Sequence, residues 1–126
     1  MASWAEIKNY IKSNYVVGME QGDTIGLEFN TGGDRSQLVF VSWLDLDEPQ
    51  VIFRSPFAKR ERLSAERVLQ AAMGTPYGVT MTDSWYTLSH VQLASSIDAL
   101  EIDQPMMWVT VFADKLENEL GQGDEF

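Results

Sequence analysis

The chain has no cysteine and a single histidine, His90, among its 126 residues. Without cysteine there are no disulfides, thiolate metal sites or cysteine nucleophile. No apolar run approaches the roughly 18 residues that a membrane-spanning helix needs. The start, Met-Ala-Ser-Trp-Ala-Glu, lacks the basic residues and apolar core of a secretory signal. The expected location is therefore the cytoplasm. Basic residues are scarce in the second half: residues 64–126 carry ten acids against Arg67 and Lys115, whereas residues 1–63 carry nine acids against seven bases. The formal net charge of −10 gives a field that repels nucleic-acid phosphates and anionic membranes, so neither is an expected partner.

What is present is the composition of a folded protein. Hydrophobic residues make up 44% and charged residues 22%, enough to bury a core in one domain covering residues 1–126. Ser3 and Glu6 form a capping box before Trp4, Ile7 and Ile11, predicting a helix from Trp4 to about Ser13. Tyr15 to Met19 is a lead-in or a small edge strand, cut short by Gly18 and Gly22. Ile25, Leu27 and Phe29 alternate with Gly26 and Glu28, predicting a half-buried strand. The cluster from Asn30 to Asp34 turns it into a hairpin.

Arg35 to Leu44 carries Leu38, Phe40 and Leu44 on one face and Val39, Val41 and Trp43 on the other. Such a strand expects at least partial cover on both sides, the second from a helix or another subunit. Val51 to Phe57 is the next strand. Leu63 before Ser64 places a hydrophobic staple and a cap ahead of a short helix, Ser64 to Met73, which ends at Gly74 and Pro76. Strands Tyr77–Thr82 and Trp85–Leu93 then fold back at Asp83-Ser84. On the latter, Trp85, Thr87, Val91 and Leu93 share one face, and Tyr86, Leu88, His90 and Ala94 the other. Ser95 to Ile102 reads as a loop pinned by Ile97, Leu100 and Ile102. Asp103-Gln104-Pro105 reads as the opening of a helix, Met106 to Leu120, with Trp108, Phe112, Leu116 and Leu120 along its apolar stripe, Val109 and Ala113 beside them, and Thr110, Asp114, Glu117, Asn118 and Glu119 mostly on the opposite, solvated side. Gly121 to Phe126 is an acidic tail, expected to be mobile. The fold class is α+β: an antiparallel sheet of about five strands, in the order α-β-β-β-α-β-β-α, with helices packed on it.

No residue pattern carries a catalytic, cofactor or metal signature. His90 on a strand face reads as structural. Asp83 and Ser84 lie at the wrong end of its strand for a triad. Asp45-x-Asp47-Glu48 lacks the glycine and closing glutamate of a calcium loop. Gly32-Gly33 and Gly121-x-Gly123 are too sparse for a phosphate loop. Trp43, Trp85 and Trp108 read first as core filler, and otherwise as a partner patch. One basic cluster stands out: Arg54, Lys59, Arg60, Arg62 and Arg67. It is either a solvated loop and helix start or a docking spot for an acidic partner.

The layout, with Tyr77-Gly78-Val79, Trp85-Tyr86-Thr87-Leu88 and Ala113-Asp114-Lys115-Leu116-Glu117, resembles the type III secretion chaperone-like fold and, within it, the YbjN-like family of small bacterial proteins. The resemblance covers most of the chain. It implies a small acidic cytoplasmic protein, often a homodimer, that binds another polypeptide and carries no catalytic residues or cofactor. It would place a dimer or partner interface on the middle helix and the strand after it. The residues expected there are Val68, Leu69, Ala72, Trp85, Thr87 and Val91. The rival expectations are a pocket between sheet and C-terminal helix lined by Trp85, Trp108 and His90, serving a small molecule or an enzyme, and a regulatory patch running from Arg54 to Arg67.

Overall fold

Helix α1, Trp4–Asn14, begins where the Ser3 hydroxyl accepts from the Glu6 amide at 3.1 Å. In the computed structural model, which describes residues 3–121, α1 is followed by strands β1 (Val17–Gln21), β2 (Thr24–Gly32), β3 (Arg35–Leu44) and β4 (Gln50–Lys59). Helix α2 (Ala65–Ala71) runs into a 3-10 turn at Ala72–Gly74. Strands β5 (Gly78–Met81) and β6 (Trp85–Leu93), a second 3-10 turn at Ala94–Ser96 and helix α3 (Ala99–Glu119) complete the chain. Beyond Gly121, the expected acidic tail lies outside the described residues.

The six strands form one antiparallel sheet in the order β1-β2-β3-β4-β6-β5. The fold is therefore α+β as expected, with one strand more than the five anticipated. The extra strand is β1, the segment left open between lead-in and edge. Gly22, at φ +58, makes the tight turn that returns β1 onto β2.

Three helices lie on one face of the sheet. Ile7 and Ile11 of α1 and Ile102, Met106 and Val109 of α3 pack on Ile25, Leu27, Val39, Val41, Val51 and Phe53. A second cluster joins Val68 and Ala72 to Ala113, Leu116 and Leu120 of α3 over Phe57, Tyr86 and Leu88. Leu63 packs against that cluster ahead of the Ser64 cap, as a staple should. Pro56 stays inside β4 because the register shifts between Pro56 and Ala58. This bulge turns both Phe57 and Ala58 into the helix side, where both are fully buried.

Helix α3 departs from the sequence expectation in two ways. It starts at Ala99, not at Pro105, so Ile102 belongs to a helix rather than a loop. The Asp98 side chain accepts from the Glu101 amide at 2.9 Å, and the Glu101 carboxylate accepts from the Asp98 amide at 3.2 Å. This capping box fixes the start, and Pro105 is carried inside as a buried residue whose missing N–H leaves one helical carbonyl without its usual bond. The buried stripe is also narrower. Ile102, Met106, Val109, Ala113, Leu116 and Leu120 face the sheet, while Trp108 is 40% exposed and stacks on Phe112 at 5.6 Å. Glu117, expected in water, is fully buried. Arg35, at the start of β3, reaches it at 3.2 Å and Asp114 at 3.1 Å. A buried carboxylate is tolerated only with such a partner.

Candidate functional site

A groove of about 420 Å³ opens between α3 and the distal half of β2. Strand alternation sends Phe29 and Thr31 toward the helix side, where Met106, Met107 and Val111 form the opposite wall. Met107 and Val111 are about half exposed, as is expected of a wall open to an occupant. Tyr15 closes one end and meets Phe29 edge to face at 5.9 Å. The Thr31 hydroxyl is buried without a hydrogen-bond partner among the described residues. An unpaired hydroxyl in an apolar wall costs free energy that a ligand's polar group would recover.

Two further features shape this groove. First, β1 pairs with β2 only from Thr24 to Leu27, whereas β3 pairs along β2 to Gly32. The outer edge of β2 from Glu28 to Thr31 therefore has no strand beside it among the described residues. Second, a polar clamp holds the Tyr15 end. The Tyr10 and Tyr15 hydroxyls donate to the two oxygens of Asp103 at 2.7 and 2.6 Å, tying α1 and its exit to α3. The hydrogen bond to Asp103, with burial behind it, raises the Tyr10 pKa above its ordinary 10. Burial, then the same acceptor, raises that of Tyr15. Both hydroxyls are thereby held in the neutral, donating form to higher pH than a free tyrosine. Also from α1, Lys12 and then Lys8 hold Glu20 of β1 below the ordinary carboxylate range.

The opposite face of the sheet carries no helix among the described residues. Register places Phe40, Arg54 and Ser89 side by side across β3, β4 and β6 on this outer face. Thr24 and Ser42 share a hydrogen bond at 2.9 Å on one side of Arg54; Thr80 bonds Thr87 at 2.6 Å and Ser89 at 2.8 Å on the other.

The residues expected at an interface fall into three environments. Val68 and Ala72 are buried in the core of the chain itself. Leu69 and Val91 are exposed, at 54% and 49%. Trp85 and Thr87 lie on the outer sheet face, Thr87 nearly buried and hydrogen-bonded to Thr80. Only Leu69, Val91 and Trp85 present substantial surface.

The pocket expected from Trp85, Trp108 and His90 does not form. Residues 85 and 90 have opposite parity on one strand, so their side chains leave opposite faces. His90 meets Tyr77 at 5.1 Å on the helix side, and Tyr77 in turn meets Phe112, beside Trp108. Burial raises the Tyr77 pKa there. Trp85 lines cavities on the outer face. Trp43 stacks with Trp4 at 6.0 Å, so the three tryptophans form no common cluster. Sequence reading missed the groove because Phe29, Thr31, Met107 and Val111 come from elements far apart in the chain. The one local signal was the length of β2 relative to β1.

No protein-family model and no curated protein matches the chain. Among solved structures it is similar to a chain of the HopA1–SchA chaperone–effector complex. The TM-score is 0.64 at 8% identity, over 91% of this chain and 94% of that one. The chaperone-like fold expected from the layout is thus shared; at this identity the likeness concerns the fold. No helix of the described residues is long and apolar enough to cross a membrane.

Proposed function

We propose that this chain is a non-enzymatic, chaperone-like protein-binding module of the cytoplasm that acts as a homodimer and holds an extended segment of another polypeptide. The observation that carries this reading is the groove beside the uncovered edge of β2. An extended segment can add to that edge through backbone hydrogen bonds, while alternate side chains drop toward Phe29, Met106 and Val111. The Thr31 hydroxyl offers one polar anchor within it. A fold shared with a chain of a chaperone–effector complex agrees with this. The YbjN-like assignment is part of the same proposal and rests on the Trp85-Tyr86-Thr87-Leu88 strand and its neighbours.

A second copy would meet the exposed apolar residues at the other end of the sheet, Leu69, Met73 and Met81, since Val68 and Ala72 are already used by the core. A dimer interface of ordinary size would bury on the order of 1,600 Å².

The test replaces Met107 and Val111, both about half exposed, by glutamate. Loss of partner capture with an unchanged fold and dimer is expected. Sedimentation as a strict monomer at high concentration, with capture indifferent to both substitutions, would sink the reading. The volume of the groove also suits a small molecule. That alternative predicts binding of a compact apolar ligand which competes with no peptide.

A further inference from the structure

The outer face of the sheet holds a charge that is unpaired among the described residues. Arg54 is half-buried at the centre of four strands, and it makes no ion pair or hydrogen bond among the described residues. It lines a cavity of about 220 Å³ with Phe40, Pro56 and Trp85. Every other strand residue nearby on this face is apolar or a hydroxyl. The one acid that register places on the face, Glu28, is exposed on β2 and forms no salt bridge with Arg54.

Trp85 is also the wall of an adjoining cavity of about 270 Å³, lined by two bases, Lys59 and Arg60, two acids, Glu61 and Asp83, and Ser84. The bulge at Pro56/Ala58 sets Lys59 opposite Trp85, on the same face as Arg54. Arg60 is held at the rim by hydrogen bonds from its guanidinium to the Thr82 and Asp83 carbonyls, at 3.0 and 3.4 Å. Three of the five bases in the sequence cluster thus converge on one tryptophan, in a molecule whose net charge is −10.

A half-buried guanidinium without a carboxylate has lost part of its hydration and gained no counter-ion. Hydroxyls of Thr24, Ser42, Thr87 and Ser89 around it can donate to an anion as readily as to one another. We propose that this face receives an acidic stretch of a partner polypeptide: one carboxylate seats on Arg54 among the hydroxyls, an adjacent apolar group lies on Trp85, and a further acid meets Lys59 and Arg60. The proposal deepens the polypeptide-binding reading and rests on it. The face is distinct from the β2–α3 groove, so the partner would touch both sides of the sheet.

The experiment is a two-dimensional ¹⁵N NMR titration of the full chain near physiological salt, where repulsion from the rest of the molecule is screened beyond about 8 Å. The probe is an acetylated, amidated octapeptide of alternating glutamate and threonine. Its control has glutamine for glutamate. The glutamate peptide is expected to shift the Arg54 Nε–H and the Trp85 indole N–H. The glutamine peptide should bind about tenfold more weakly, the usual worth of a charge-assisted hydrogen bond. Arg54→Gln should lose the same factor, and Arg54→Lys should retain part of it.

Equal shifts from both peptides, or binding unchanged in Arg54→Gln, overturn the proposal. Sodium acetate or inorganic phosphate shifting the same resonances as strongly per charge overturns its peptide part, leaving a free-oxyanion site. If the groove variants lose partner capture while this face fails to bind the peptide, only this inference falls. If capture is also indifferent to the groove variants, the reading beneath it falls too.

Discussion

The two faces of the sheet are made by the same strands, yet they are different materials. On the helix side, Val39, Val41, Val51, Phe53, Phe57 and Leu88 are completely buried. On the outer side, Leu38, Phe40, Arg54, Trp85 and Ser89 are only half covered, and Leu44, Val91 and Leu93 are exposed. Alternation alone separates them. The helix side is settled by the chain's own helices. The outer side mixes apolar groups, hydroxyls and the cations Arg54 and Lys59, and among the described residues no helix covers it. An apolar residue on a strand therefore says only that something is to be covered, not by what.

The comparison breaks first on paired truncations. Phe53→Ala should cost about 3–5 kcal/mol in urea unfolding, whereas Phe40→Ala should cost about 1–2 kcal/mol, since part of its ring is already in water. Equal costs would mean that the outer face is as well packed as the inner one. Next comes the buried ion pair beneath the sheet. Arg35→Met should destabilise by about 3 kcal/mol by stranding Glu117, and adding Glu117→Leu should restore most of it. A double variant no better than the single one would show that Arg35 acts through other contacts.

Asp103→Asn should cost about 1–2 kcal/mol, because one amide oxygen cannot accept well from two tyrosines. The pH arm has a definite sign. Folding raises the Tyr15 pKa, so the stability tied to its neutral form is present below the ordinary value of 10 and is lost as pH rises above it. Wild type should thus lose thermal stability above about pH 10 more steeply than Tyr15→Phe. Parallel curves would remove the clamp from the account. Smallest in stability is Arg54→Gln, expected within about 0.5 kcal/mol of wild type while binding of the acidic peptide falls. A large stability change there would make Arg54 a part of the fold rather than of a surface.

Much of the architecture was legible from local signals. The Ser3 and Ser64 caps, the Leu63 staple and the period change after Gly74 gave two helices and the final hairpin nearly to the residue. The start of α3 was misread because Pro105 drew the boundary to itself, although Asp98-x-x-Glu101 carried the stronger capping pattern seven residues earlier. Its apolar face was read too wide: Val109, Ala113, Leu116 and Leu120 are buried as that face requires, but Trp108, counted with them for its hydrophobicity, stays 40% exposed. The expected interface mixed residues whose roles only packing separates: Val68 and Leu69 are neighbours in sequence, one fully buried and the other 54% exposed.

Sequence by itself determined the charge balance, the missing thiol chemistry, the α+β order and which residues of each strand share a face, because these follow from composition and from short-range periodicity. Tertiary structure alone decided which of the two strand faces the helices cover, that Glu117 is buried against Arg35, that β2 outruns β1 beside a groove, and that Arg54 has no partner among the described residues. Each of those depends on which distant segments meet, and strand alternation has the same period whichever face the helices choose.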